Sequence, residues 1–110
     1  MRVFCGEEIA MGPGKADLLE AILETGSIAA AGRSMGMSYR RAWLLVDTMN
    51  RCFRGPLVVT EKGGAQGGGA VLSELGRAAL LRFRGMERKA AKASAADRAV
   101  LASLLAKRKK

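Results

Sequence analysis

Residues 26–43, GSIAAAGRSMGMSYRRAW, constrain the fold more than any other stretch of the 110-residue chain. Gly26 is a helix C-cap signal and Ser27 an N-cap signal, so one helix ends and the next begins within two residues. Ile28 to Met35 is short and alanine-rich, with small side chains that let another helix pack closely. Gly36 and Met37 form a turn. Ser38 then caps the longest well-patterned helix, which is expected to run to about Arg54. The pattern is a helix, a tight turn and a second helix.

The remaining segments frame this unit. RVFC at residues 2–5 is rich in strand formers, and Ile9 to Met11 reads as a returning short strand. Gly12-Pro13-Gly14 breaks that pattern, with a proline suited to a helix start. From Lys15 to Thr25 a helix places Leu18, Leu19, Ile22 and Leu23 on one face. In the helix after Ser38, Ala42, Leu45, Val46, Met49 and Phe53 share a face, opposite Arg40, Leu44, Asp47 and Arg51. Tyr39, Trp43 and Asn50 take one flank, Arg41 and Thr48 the other. Gly55-Pro56 ends that helix. Leu57–Glu61 and residues 70–73 (AVLS) then read as two strands joined by a long glycine-rich tip, KGGAQGGG. A helix follows from Glu74, with Gly76 and Gly85 as weak spots and Ser94 as the expected cap of a restarted short helix. The expected class is α+β, mainly α: a winged helix-turn-helix with a long C-terminal dimerisation helix. Residues 1–73 form the winged unit and residues 74–110 a helical segment with a basic tail.

Charge is unevenly spread. Residues 1–76 carry eight basic and eight acidic side chains, whereas 77–110 carry eleven basic and two acidic, and so hold the whole formal charge of +9. A basic segment on a neutral domain suits an anionic partner, with a solvated helix and tail as the alternative. The chain has no histidine, and Cys5 and Cys52 lack metal-ligand spacing, so no metal, cofactor or disulfide is expected. No apolar run approaches the ~18 residues of a membrane span, and MRVFCGEEIAMG lacks the apolar stretch of a secretion signal. A cytoplasmic protein without a membrane partner is expected. Nucleophile motifs and paired carboxylates are also missing, which argues against an enzyme. The glycine run has no GK[ST] ending and lies between strands, so it is not a phosphate loop of the nucleotide-binding kind.

The residues at the start of the helix after Ser38 point to double-stranded DNA as the anionic partner. Arg40 projects away from the core face and can pair with guanine O6 and N7, or touch only phosphate. Arg41, at the helix edge, suits a phosphate contact. Ser38 is a cap that can also reach DNA, and Ser27, the preceding cap, joins the set. Tyr39 and Trp43 either pack against the neighbouring helix and hairpin or face DNA, with packing favoured for Trp43. Lys62 and Gln66 carry the only useful side-chain donors of the glycine-rich tip.

GSIAAAGRSMGMSYRRAW…MN followed by LVVTEKGGAQGGGAVLSELGR resembles the N-terminal DNA-binding domain of ModE-type molybdate-responsive transcription regulators. More loosely, it is similar to that of LysR-type regulators. The resemblance covers about residues 3–90. It implies a homodimer with Ser38, Tyr39, Arg40, Arg41 and Trp43 in the major groove. The glycine-rich wing, with Lys62 and Gln66, would lie on the backbone, and a long helix after it would pair two subunits. Leu75, Leu80, Phe83, Leu101, Leu104 and Leu105 are the candidate pairing residues, the early ones also covering the chain's own core. Full-length members add oxyanion-binding domains for which 110 residues leave no room, so molybdate sensing is not inherited here. The chain is then either a stand-alone DNA-binding form or one sensitive to something else, with a separate sensor chain or a longer family regulator as a candidate partner. Two alternatives stay open: a general nucleic-acid or architectural protein acting through its basic C-terminus, and a modulator that pairs with a longer regulator.

Overall fold

The computed structural model describes residues 1–61 and 69–106. The fold is α+β and mainly helical, with two small antiparallel sheets. β1 (Val3–Cys5) pairs with β2 (Glu8–Met11), Cys5 facing Glu8 and Phe4 facing Ile9 across the ladder. Gly6, at φ 62°, makes the turn between them. α1 (Pro13–Thr25) starts on its proline and ends at Gly26, whose left-handed backbone (φ 78°) lets its N–H reach the Ile22 carbonyl.

α2 (Ile28–Ser34) is capped by Ser27, whose Oγ accepts from the Ala30 N–H at 2.8 Å. α3 (Tyr39–Cys52) is capped by Ser38, which accepts from Arg41 N–H at 3.1 Å. Between them Gly36 takes φ 71°, the positive backbone angle that turns the chain. The small side chains of α2 matter at Gly32, where an added Cβ would stand 3.1 Å from that of Ala42. α2 and α3 therefore cross at near-backbone contact.

Ala42, Val46 and Met49 of α3 are buried, with Leu45 and Phe53 packed at the core edge, as the 3.6-residue period requires. Leu18, Leu19 and Ile22 of α1 are wholly buried, each contributing about 2 kcal/mol of burial free energy. Leu23 departs from the expectation and is 49% exposed. At 3.6 residues per turn it lies at the rim of the face centred on Leu18, Leu19 and Ile22.

β3 (Val58–Glu61) and β4 (Gly69–Leu72) form the second hairpin, with Val58 facing Leu72 and Glu61 facing Gly69. Two anchors fix it. The Ala70 N–H donates to the Gly26 carbonyl at 2.8 Å, tying β4 to the α1–α2 junction. Asn50 of α3 accepts from the N–H groups of Leu57 (2.8 Å) and Val58 (3.1 Å) and donates to the Val58 carbonyl (3.1 Å).

α4 (Glu74–Ala93) starts at Ser73, whose Oγ accepts from Gly76 N–H at 2.9 Å and donates to the Pro56 carbonyl at 2.6 Å. Its Leu80 and Phe83 enter the same core as α1, so the core runs across residue 73. Arg84 reinforces that packing. It reaches Asp17 (2.5 Å) and Glu20 (2.6 Å) of α1 and Glu87 (2.8 Å) of its own helix, and its hydrogen bonds, to Asp17 first and then Glu87, raise its proton affinity.

Two expectations about this region need correction. Gly76 is not a weak spot. It is buried where a Cβ would collide with the Leu57 carbonyl, so the helix can approach β3 only with glycine there. The helix does restart at Ser94, as α5 (Ala95–Ser103), but Ser94 makes no side-chain cap to it. Its Oγ instead donates back to the Ala90 carbonyl at 2.7 Å, because the residue sits in near-helical geometry rather than the extended conformation of a cap.

Candidate functional site

The exposed face at the start of α3 gathers most of the sequence-derived candidates. The turn at Gly36 and the cap at Ser38 hold the first turn of the helix clear of the core, while Ala42 and Val46 anchor its other side. Tyr39 (56% exposed), Arg40, Trp43 (43%) and Leu44 (52%) enclose a shallow hollow of about 440 Å³. Trp43, expected to pack, does so only in part. Its ring borders both this hollow and a second cleft of about 490 Å³. That cleft lies between α2, α3 and the second hairpin, and Ser27, Arg33, Tyr39 and Thr60 also line it. Lys62 and Gln66 lie outside the described residues.

The electrostatics differ sharply along α3. Among the described residues, no carboxylate pairs with Arg40 or Arg41. Arg51, three turns on, is held by Glu8 (3.1 Å) and Asp47 (3.0 Å), and its hydrogen bonds to Glu8 and then Asp47 raise its proton affinity. The start of α3 thus presents the uncompensated Arg40 guanidinium, a phenol, an indole and apolar surface around one exposed hollow, with the equally unpaired Arg41 on the adjacent helix edge. Such a face can donate hydrogen bonds to, and neutralise, an anionic surface.

The candidate pairing residues separate into two groups. Leu80 and Phe83 are 7% and 2% exposed within the chain's own core, and Leu75 packs at its edge. Leu101 (63% exposed) lies on α5, and Leu104 (73%) and Leu105 (74%) follow its end. Leu81, not singled out from the sequence, is 72% exposed on α4. Its neighbour Leu80 carries the inward-facing period, which gave no separate signal for Leu81.

Asn50 is the functional-site support that sequence reasoning missed. It was placed on a helix flank, and nothing local indicates that its amide serves a strand seven or eight residues on. Cys5 and Cys52 are free thiols, half-buried, and close to each other. Hydrogen bonding toward Cys5, then burial, pushes the Cys52 thiol up to about 11. Only the thiolate reacts with alkylating agents. Iodoacetamide labelling of Cys52, followed by mass spectrometry, is therefore expected to rise with pH through about 11 in the folded chain. A rise centred near the ordinary cysteine value would contradict the pairing.

Among the described residues no group of three or more His, Cys, Asp or Glu side chains is placed to hold a metal ion. No described helix is long and apolar enough to cross a membrane.

No family model matches the chain. Individual proteins do. The chain is 43% identical over 82 residues to the molybdenum-pterin-binding protein MopB of Rhodobacter capsulatus, a match covering 74% of this chain and 30% of that protein. It is 46% identical over 70 residues to the molybdenum transport protein ModE of Azotobacter vinelandii, covering 64% and 26%. It is 38% identical over 65 residues to the DNA-binding transcriptional dual regulator ModE of Escherichia coli, covering 59% and 25%. The chain thus spans no more than 30% of the length of these curated relatives.

Proposed function

We propose that the chain is a double-stranded-DNA-binding module of a molybdate-related transcription regulator. In this reading residues 1–73 are a winged helix-turn-helix, supported by the first turns of α4. α2 and α3 are its two helices, α3 enters the major groove, and β3–β4 is the wing along the backbone. The observation that carries it is the exposed start of α3, with Arg40 unpaired among the described residues beside Tyr39, Trp43 and Leu44, and Arg41 likewise unpaired on the adjacent helix edge. The similarity to the DNA-binding transcriptional dual regulator ModE of Escherichia coli agrees with it.

The molecule acts as a homodimer in the cytoplasm. Residues 74–110 contribute the pairing surface, through Leu81 on α4 and Leu101, Leu104 and Leu105 at and beyond α5. α5 buries none of its residues within the chain, and an isolated helix of that length is marginal in water. Contact with a second copy would supply the missing burial. The similarity to a molybdenum-pterin-binding protein and a molybdenum transport protein makes a molybdenum species such as molybdate the signal to test, sensed outside these residues on a longer form or a partner chain.

The test is a competition shift assay with a promoter fragment and random duplex. Arg40→Ala is expected to lower affinity for the preferred site about 10-fold or more, because a bidentate guanine contact is worth ~1–3 kcal/mol, while leaving random-duplex binding within a few-fold. If random duplex competes as well as the promoter fragment, the sequence-reading role is wrong. The basic excess beyond residue 76 would then favour a general nucleic-acid-binding protein instead.

A further inference from the structure

A second cationic feature lies away from the hollow on α3. The side chains of Arg2, Lys15 and Arg41 line one cleft of about 390 Å³, floored by Ile9, Met37 and Leu45. They come from the residue before β1, the first turn of α1 and the first turn of α3, which are apart in sequence. Arg2 is laid against the β2–α1 junction, its Cγ 3.4 Å from where a Cβ on Gly12 would stand.

Among the described residues none of the three cations has a carboxylate within salt-bridge distance. Glu8, the nearest acidic group to affect Lys15, is engaged by Arg51. Lys15 is the most enclosed of the three, Arg2 and Arg41 being exposed. Burial lowers the proton affinity of Lys15, and although Cys52 and Glu8 act the other way, the charge of Arg41 lowers it further. The start of α1 adds to the excess, since Gly12 provides no side-chain cap and the first turn holds no acidic residue. Three like charges that line one cleft without a carboxylate partner can be bridged by an anion with several acceptor oxygens.

We propose that the cleft of Arg2, Lys15 and Arg41 is a binding site for a single phosphate group. The phosphate can come from the backbone of a bound duplex, a source that rests on the DNA-binding reading above, or from a free phosphate. Arg41 then serves this site while its neighbour Arg40, about 100° further round the helix, serves the hollow. A backbone phosphate held here would fix how α3 is presented to the duplex without reading its sequence.

Two arms of one experiment test this on the full chain and on the triple variant Arg2→Gln, Lys15→Gln, Arg41→Gln. In the first, inorganic phosphate is titrated against chloride at equal ionic strength while backbone amide shifts are followed. Saturable shifts at Gly14 and Lys15, lost in the triple variant, support a site that accepts free phosphate. In the second, the salt dependence of duplex binding is measured. Three cations sharing one phosphate lower the log–log slope by ~0.9 in total when all are neutralised, whereas three separate contacts lower it by ~2.7. A total change near the smaller value supports the backbone source. A change near the larger value, or no change together with no saturable phosphate shift, overturns the proposal. If the chain binds no DNA, the functional reading fails and the phosphate arm alone decides the cleft.

Discussion

Gly76→Ala is expected to destabilise the chain by about 3 kcal/mol, whereas Gly85→Ala, nine residues along the same helix, is expected to stabilise it slightly. Both substitutions gain up to ~1 kcal/mol of helix propensity. They differ in what the new methyl meets. At Gly76 it would lie within contact distance of the Leu57 carbonyl oxygen and 2.9 Å from the carbonyl carbon, both of them backbone. Neither can move alone, because the Leu57 carbonyl also accepts from the Ser73 N–H at 2.9 Å. The start of α4 must therefore lift away from β3, with Leu80 and Phe83 drawn from the core behind it. Overpacking of this kind costs ~1–3 kcal/mol, and more where backbone must shift. At Gly85 the nearest atom is the Nη2 of Arg88 at 3.8 Å, at the end of a flexible side chain. Thermal unfolding measures the contrast: a fall of roughly 15 °C at position 76 against a small rise at position 85. Equal shifts at the two positions would show that the close approach of α4 to β3 does not limit stability.

Asn50→Ala is expected to cost about 3 kcal/mol and to loosen the second hairpin selectively. The side chain makes three hydrogen bonds to the backbone of Leu57 and Val58, residues that are 0% and 3% exposed. Truncation leaves two buried N–H groups without that acceptor, at ~1–3 kcal/mol for each buried group left unsatisfied. Amide hydrogen exchange separates this from a general loss of stability. Exchange at Leu57, Val58 and the β3–β4 ladder should accelerate well beyond that of α1, since the hydrogen bonds of the Asn50 amide go to Leu57 and Val58. Uniform acceleration would mean that Asn50 supports the whole core and not the hairpin in particular. In the DNA-binding reading, the same variant should weaken contacts made by the hairpin while leaving the sequence preference set by Arg40 in place.

These two positions also mark how far the sequence could be read. The order of elements, the turn at Gly36, the caps at Ser27 and Ser38 and the buried face of α3 all follow from signals within one or two helical turns. The exposure of Arg40 and Leu44 is legible for the same reason, both lying opposite a clear apolar period, whereas Tyr39 and Trp43 on the flank are not decided by it. Leu23 was misplaced because a residue at the rim of a helical face is assigned by its neighbours, not by its own position.

What the tertiary structure alone decided involves residues far apart in the chain. From the sequence Gly76 is only a weak spot in a helix; the packing sets Leu57 against it. Asn50 looked like a flank residue until its amide was found on β3. Arg84 meets Asp17 and Glu20 across α1 and α4, Cys52 lies by Cys5, and Arg2, Lys15 and Arg41 share a cleft. Local backbone preference and periodicity determine which elements form and which faces are apolar. Which polar groups meet depends on how those faces dock, and that is fixed by close packing over the whole core, of which no short segment carries a record.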